Sequence, residues 1–334
     1  MSAVLEPART AARRLHRPLL LMVVSMALLL VVSAVGMVAD DRVLLGAPVW
    51  GKPLKFAVSF IVYGLTLAWL LTLPHRASRW TWWMATLLAV TGIVDVGVVV
   101  VQAARGTFSH FNQADDPFTN VIQLIFGVGV QLLMLANFVL AGLLIFQRVG
   151  DRVLTWAIRA GLTFVIAGIG LGLLIPMRSN EVWTAKDAAG HAIPLAAQHN
   201  VGVPDGGPGL PLTGWSTVGG DLRIPHFVGL HGLQVMLVAA LVLGFLASRV
   251  TRLRDERTRA GLMIVAAAAY AGLIVLVTWQ ALRGQAVIHP DGQTLGALAL
   301  LMAATTAAGW AVLAAGGRQR RLRATSPSPS PQSE

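Results

Sequence analysis

The chain has no cysteine. Disulfides, cysteine-held zinc and iron–sulfur clusters are therefore excluded. Charge is scarce as well. Asp, Glu, Lys and Arg make up 12% of the 334 residues, about half the share found in a soluble domain. Lysine is nearly missing, with 3 residues against 23 arginines, a bias that fits a GC-rich bacterial genome. Three further absences narrow the function. There is no phosphate loop ending in Gly-Lys-Ser/Thr, no Gly-x-Ser-x-Gly elbow, and no lysine in the seventh apolar run. ATPase, α/β-hydrolase and retinal-binding readings lack their residues.

Apolar length is what the chain has in abundance. Hydrophobic residues are 55% of it, and runs of roughly 20, long enough to cross a bilayer as helices, recur eight times. They fall at 18–39, 54–73, 82–104, 119–147, 153–177, 225–248, 259–282 and 293–315. The expected fold is all-α, a polytopic transmembrane helical bundle of about eight spans. The first run follows Arg13, Arg14 and Arg17 as a signal peptide would. It is longer than a signal core and no small-x-small site follows it, so a retained span is expected.

Orientation follows from the basic residues. With the N-terminus inside, the inner segments hold 18 of the 26 lysines and arginines, and every inner loop is basic. That places both termini in the cytoplasm of a bacterial cell with the protein in its inner membrane. The net charge of +11 then marks topology, not nucleic-acid binding. The expected segments are a basic N-terminal stretch (1–17), a first half of five spans (18–177), an extracytoplasmic Gly/Pro-rich loop or lid (178–224), a second half of three spans (225–315) and a disordered Pro/Ser tail (316–334). The loop carries Leu210, Leu212 and Trp215 among its turns, which favours a folded lid over a plain linker.

An internal echo bears on architecture. "QAARG" (102–106) ends the third span and "QALRG" (280–284) ends the seventh, and each precedes an outer histidine, His110 and His289. Four spans separate them, so the halves share orientation. This suggests a parallel four-plus-four repeat.

Polar residues fall in stripes, because helical residues three, four and seven apart share a face. Lys52, Lys55, Ser59, Tyr63 and Thr66 form one on the second span. Asp95, Gln102 and Arg105 form another on the third, and Asn120, Gln123 and Gln131 share a broad face of the fourth. Such stripes are costly against lipid and should turn inward. Tyr63, Asp95 and Gln234 each lie nine residues below an outer boundary, roughly 13 Å deep by helical rise, and are expected to converge. Asp95 reads as a proton carrier, general base or ligand anchor, or else as a structural acid bonded to Tyr63 or Gln234. Lys52, Lys55, Arg105, Arg223 and Arg283 make the outer mouth basic, an anion-attracting funnel unless acids and lipid phosphates neutralise it.

The stretch "DLRIPHFVGLHGLQ" (221–234) joins loop to span. Pro225 suits a first helical turn. His226 and His231 are five apart and so lie roughly 140° apart on a helix. His231 shares the face of Gln234 and is expected to line the cavity, with His226 nearer the rim. Asp95 and His231 are the candidate catalytic groups. The expected ligand-binding set is Lys55, Ser59, Tyr63, Asp95, Gln102, Arg105, His110, Gln123, His226, His231, Gln234, Gln280 and Arg283. Haem would need two facing histidines, for which His110 and His231 are the pair. A non-haem metal would draw on His110, His231 and Asp95.

The segments "GAPVWGKPLKFAVSF", "QAARGTFSHFN" and "PDGGPGLPLTGWSTVGGDLRIPHFVGLHGLQ" resemble a group of uncharacterised polytopic membrane proteins from actinobacteria. The resemblance runs from residue 40 onward and implies a multi-span fold without implying an activity. Two function classes follow from the residues. One is a binder or transporter of a small anionic or amphipathic molecule, with Asp95 as its proton-linked group. The other is a membrane-embedded enzyme acting on a lipid or quinone through His231 and Asp95, with or without haem or a divalent metal. A scaffold subunit of a membrane complex is a third.

Overall fold

A computed structural model describes residues 15–178 and 182–325, with side chains as far as residue 317. Among these residues are nine α-helices: α1 (Arg17–Ala39), α2 (Gly51–Leu70), α3 (Ser78–Ala104), α4 (Pro117–Ile145), α5 (Arg152–Arg178), α6 (Arg223–Leu230), α7 (Gly232–Arg249), α8 (Glu256–Leu282) and α9 (Gly292–Thr325). All but α6 are long and apolar enough to span a membrane. The protein is an integral membrane helical bundle. Most of the expected basic N-terminal stretch, residues 1–14, and the tail from 326 lie outside the described residues.

Helix starts follow local chemistry. Asp116, Asp255 and Asp291 each accept a hydrogen bond from the amide of a threonine three residues on, at 2.8–2.9 Å. Each Asp-x-x-Thr thus satisfies one of the orphan donors of a first turn, a cap whose loss costs about 1 kcal/mol. His16 caps α1 in the same way, accepting from the Leu19 amide at 3.2 Å.

Two expectations about helix limits need correction. The sixth span is not one helix: α6 ends and α7 begins at His231, which sits between Gly229 and Gly232. Both glycines are pressed against α5. A Cβ on Gly229 would meet the Gly168 Cα at 2.5 Å, and one on Gly232 would meet the Phe164 Cβ at 2.4 Å. The break lets both short helices approach α5 backbone to backbone, where small residues permit close packing in a membrane. At the other end, α9 continues to Thr325, so residues 316–325 are helical and the Pro/Ser tail starts later than residue 316. The arginine-rich segment there extends a helix already nucleated.

Packing repeats between two four-span halves, α1–α4 and α5–α9. In the first, α1 packs on α2 and α3, α2 on α3, and α3 on α4. In the second, α5 packs on α6–α7 and α8, α7 on α8, and α8 on α9. The broken α6–α7 stands where α2 stands. An α4–α5 contact joins the halves, and the main core runs across it from Leu19, Met22 and Met26 to Leu140, Leu162 and Leu233. Outward-facing apolar side chains such as Leu241, Leu300 and Trp310 are more than 70% exposed, as lipid-facing residues should be.

The long loop folds into a lid. Trp183–Lys186 pairs with Ala192–Leu195 as an antiparallel hairpin, and Asn200–Val201 pairs with Gly220–Asp221. Backbone bonds of 2.9 Å tie the lid to the α3–α4 loop, from Ala188 to Gly106, from Gln113 to Pro194 and from Ala196 to Phe111. The lid therefore covers one end of the bundle, called the lid end below.

Candidate functional site

Asp221 is fully buried and organises the junction of lid and helix. Its carboxylate accepts the Ser216 amide at 2.9 Å, the Arg223 amide at 3.0 Å and the Arg223 guanidinium at 2.6 Å. Arg223 also donates to the Gly214 carbonyl at 2.7 Å, and Lys55, one helix away, donates to the Thr213 carbonyl at 2.8 Å. Two cations thus hold adjacent carbonyls of the lid. This explains why an acid and a base precede the apolar helix at 221–234.

A cluster of histidines forms where the lid meets the bundle. His226 Nδ1–H donates to the Gly168 carbonyl at 2.7 Å. His199 Nδ1 bonds Asp205 Oδ2 at 2.7 Å. Burial works against charge on Asp205, but the His199 ring and the amides of His199 and Asn200 outweigh it and hold the carboxyl below its usual range. His110 bonds Ser109 Oγ at 3.0 Å, and its ring packs on Phe126 (4.3 Å between centroids), Phe56 and Phe111. Burial, with Lys52, His199 and His226 close by, pushes the His110 imidazole well below 6.5 and keeps it neutral. His226, with Nδ1–H committed to a carbonyl, presents a bare Nε2 when neutral.

The charge balance here is uneven. Arg223 is matched by Asp221, and Asp205 is engaged by His199. Lys55 donates to a neutral carbonyl and feels both Asp221 and Arg223, but forms no ion pair among the described residues. Lys52 lies within electrostatic reach of Arg223, Lys55 and Asp205 and forms no ion pair among the described residues. An aromatic ladder descends beside them, with Trp215 5.5 Å from Phe227 and Phe227 4.3 Å from His231. Phe227 is 43% exposed. A cleft of about 430 Å³ opens on the lid itself, bordered by Arg178, Asn200, Val203 and Leu222.

Deeper in the bundle the polar residues take separate partners. Tyr63 donates to Asn137 Oδ1 on α4. Gln234 reaches Thr66 Oγ1 on α2 at 3.5 Å. Asp95 is 4% exposed and faces Gly129 of α4, and neither carboxylate oxygen has a hydrogen-bond partner among the described residues. Hydrogen bonding therefore does not join Tyr63, Asp95 and Gln234, and Asp95 is not the structural acid bonded to either.

Four other expected ligand residues belong to two matching frames. Gln102 is buried and donates to the Phe108 carbonyl at 3.2 Å, while Gln280 is buried and donates to the Ala286 carbonyl at 3.0 Å. Arg105 and Arg283 each reach a threonine hydroxyl, Thr119 and Thr294, at 3.3 Å. Each arginine pairs with the capping aspartate of the next helix, Asp116 or Asp291. The Arg283 bond holds the Asp291 carboxyl well below its usual range. Gly106 and Gly284 follow with φ of 68° and 73°, where a left-handed residue turns the chain out of the helix.

Gln123 donates to the Ser109 carbonyl and so supports the His110 loop. Ser59 is half-buried on the Lys55 stripe. His231 is half-buried against Phe227, and the cluster forms around His226 instead. Among the described residues no three His or acidic side chains are placed to hold a metal ion. Sequence reasoning passed over His199 and Asp205. Their signal was a histidine and an aspartate flanking the turn "NVGVP". Comparison with family models, with curated proteins and with solved structures returned no match.

Proposed function

We propose that this membrane protein binds, and passes across the bilayer, a small anionic or amphipathic molecule that enters beneath the lid. The observation that carries this reading is the pair of half-buried lysines, Lys52 and Lys55, which form no ion pair among the described residues, while the nearby Asp205 and Asp221 are engaged by His199 and Arg223. A buried cation without a partner is costly, and an anionic group placed there would relieve it. The Trp215–Phe227–His231 ladder suits an apolar tail beside that head. The lid end is extracytoplasmic in this reading, because the basic loops lie at the opposite end. A reporter fused beyond residue 325 should then be active in the cytoplasm.

The test is thermal unfolding of the purified protein in lipid nanodiscs with matched ligands. A long-chain carboxylate or phosphate monoester should raise the midpoint, by mass action on the folded state. The alcohol of the same chain length should not, and added salt should weaken the shift. Equal shifts from the neutral alcohol would overturn the reading.

A second reading, a membrane-embedded enzyme acting on a lipid or quinone, draws on one observation. The neutral His226 ring, fixed through Nδ1, presents Nε2 as a base. Chemical turnover of the bound molecule, lost in His226→Gln, would favour it.

A further inference from the structure

Among the described residues Asp95 is the only acid inside the body of a helix. The other helical carboxylate, Glu256, is the first residue of α8. Asp95 lies nine residues below the lid end of α3, about 13 Å down by helical rise. Its carboxyl is packed so closely on α4 that a Cβ at Gly129 would stand 1.9 Å from Oδ1. Both oxygens are buried and neither accepts a hydrogen bond.

No charge compensates it. Of the helices packed against α3, α4 carries no titratable side chain, α1 carries Arg17 at its start, and α2 carries Lys52, Lys55 and Tyr63. Along α3, Arg79 lies 16 residues towards one end, and Arg105, the cap residue ten residues towards the other, is bonded to Gln102 and Thr119. None of these forms an ion pair or hydrogen bond with the carboxyl among the described residues, and Tyr63 is bonded to Asn137. An ionised carboxylate in such a place has neither donor nor counter-ion, whereas a protonated one is neutral.

The second half builds the matching helix pair without an acid at this position. The frames align Gln102 with Gln280 and Thr119 with Thr294. Seven residues before Gln280 stands Leu273, and ten after Thr294, matching Gly129, stands Ala304. The same helix pair is therefore built once with an acid facing glycine and once with leucine and alanine.

We propose that Asp95 is a proton-binding site at the α3–α4 interface, protonated in the resting protein and exchanging its proton with water on the lid side. In the exchange the carboxyl O–H bond breaks, the electron pair stays on the oxygen and the proton passes to water. Reprotonation reverses the step. Coupling of this proton to the entry of an anionic molecule rests on the binding reading above. The proton site itself does not.

The test is infrared titration of ligand-free protein in nanodiscs, wild type beside Asp95→Asn, with carbodiimide labelling read by mass spectrometry. A protonated carboxyl adds across the carbodiimide: its oxygen bonds the central carbon, its proton moves to nitrogen, and acyl transfer leaves a stable acylurea. Wild type should show a protonated-carboxyl carbonyl band at neutral pH that fades reversibly as pH rises. The peptide holding Asp95 should gain one carbodiimide over the same pH range. The band should be missing in Asp95→Asn. If that variant does not fold, the wild-type titration and the mapped adduct decide alone. A spectrum unchanged by the substitution, no adduct at Asp95, or a band that persists at alkaline pH in folded protein would each overturn the proposal. The outcome is separable from ligand binding: failure of the anion reading leaves the band in place, and loss of the band leaves the lysine-dependent shifts intact.

Discussion

The lid ends of α3–α4 and of α8–α9 are framed alike and furnished differently. Both have a buried glutamine bonded to a carbonyl six residues on, an arginine three residues later, a left-handed glycine, and an Asp-x-x-Thr cap that the arginine clasps. Within the frames the interiors diverge. The first pair holds an unpartnered Asp95 against Gly129, where the second has Leu273 and Ala304. Residues common to both halves hold the ends of helices. Asp95, present in one half alone, makes no such structural bond among the described residues, and it is where function should be sought.

Exchanging the halves' residues should give the largest effects. Leu273→Asp should lower stability by about 2.5–3.5 kcal/mol, the insertion cost of an acid at helix centre, read by thermal unfolding in nanodiscs. Asp95→Leu should be neutral or stabilising in the same assay while abolishing the protonated-carboxyl band. If Asp95→Leu destabilises as much as Leu273→Asp, the asymmetry is structural. Next come the frames. Gln102→Leu and Gln280→Leu each remove one hydrogen bond to a carbonyl that keeps a second donor, Asn112 Nδ2 or the His289 amide, and should cost about 0.5–1.5 kcal/mol. The two losses should match, and ligand affinity per folded molecule should not change. A large loss at one and none at the other would break the equivalence. Asp116→Ala and Asp291→Ala should cost about 1 kcal/mol each as lost caps.

The smallest effect concerns pH at the lid. His110 is held neutral, well below 6.5, in the closed protein. Below 6.5 the opened state takes up a proton that the closed state refuses. Closure is then weakened as pH falls below 6.5 and is indifferent to His110 above it. Hydrogen exchange at the Ala196 amide, bonded to the Phe111 carbonyl, should lose protection on acidification after correction for intrinsic rates. His110→Gln should flatten that dependence, and an unchanged slope would show that another group controls the lid.

Much of this architecture was legible in the residues. Eight apolar runs gave eight spanning segments because length and hydropathy are local properties. "QAARG" and "QALRG" marked true counterparts, since the same groups must turn a helix end in both halves. The break at His231 was not legible. It arises where Gly229 and Gly232 meet α5, and contacts between helices leave no mark in periodicity. Depth counting placed Tyr63, Asp95 and Gln234 on one level, but rotation about each helix decides partners. Asn137 and Thr66, unremarkable in sequence, took Tyr63 and Gln234. His199 joined the site only because the lid folds back, which a loop rich in Gly and Pro conceals.

The most direct test of the binding claim is calorimetric titration of a long-chain carboxylate into wild-type protein and Lys52→Met in nanodiscs. Lys52 has no hydrogen bond or ion pair to lose among the described residues, so the substitution should leave the fold unchanged. The account predicts binding that weakens about 10-fold to 100-fold in the variant, the worth of one charge-assisted hydrogen bond. It also predicts that the neutral alcohol of the same length fails to compete. Equal affinity in both proteins, with the variant fully folded, would contradict it.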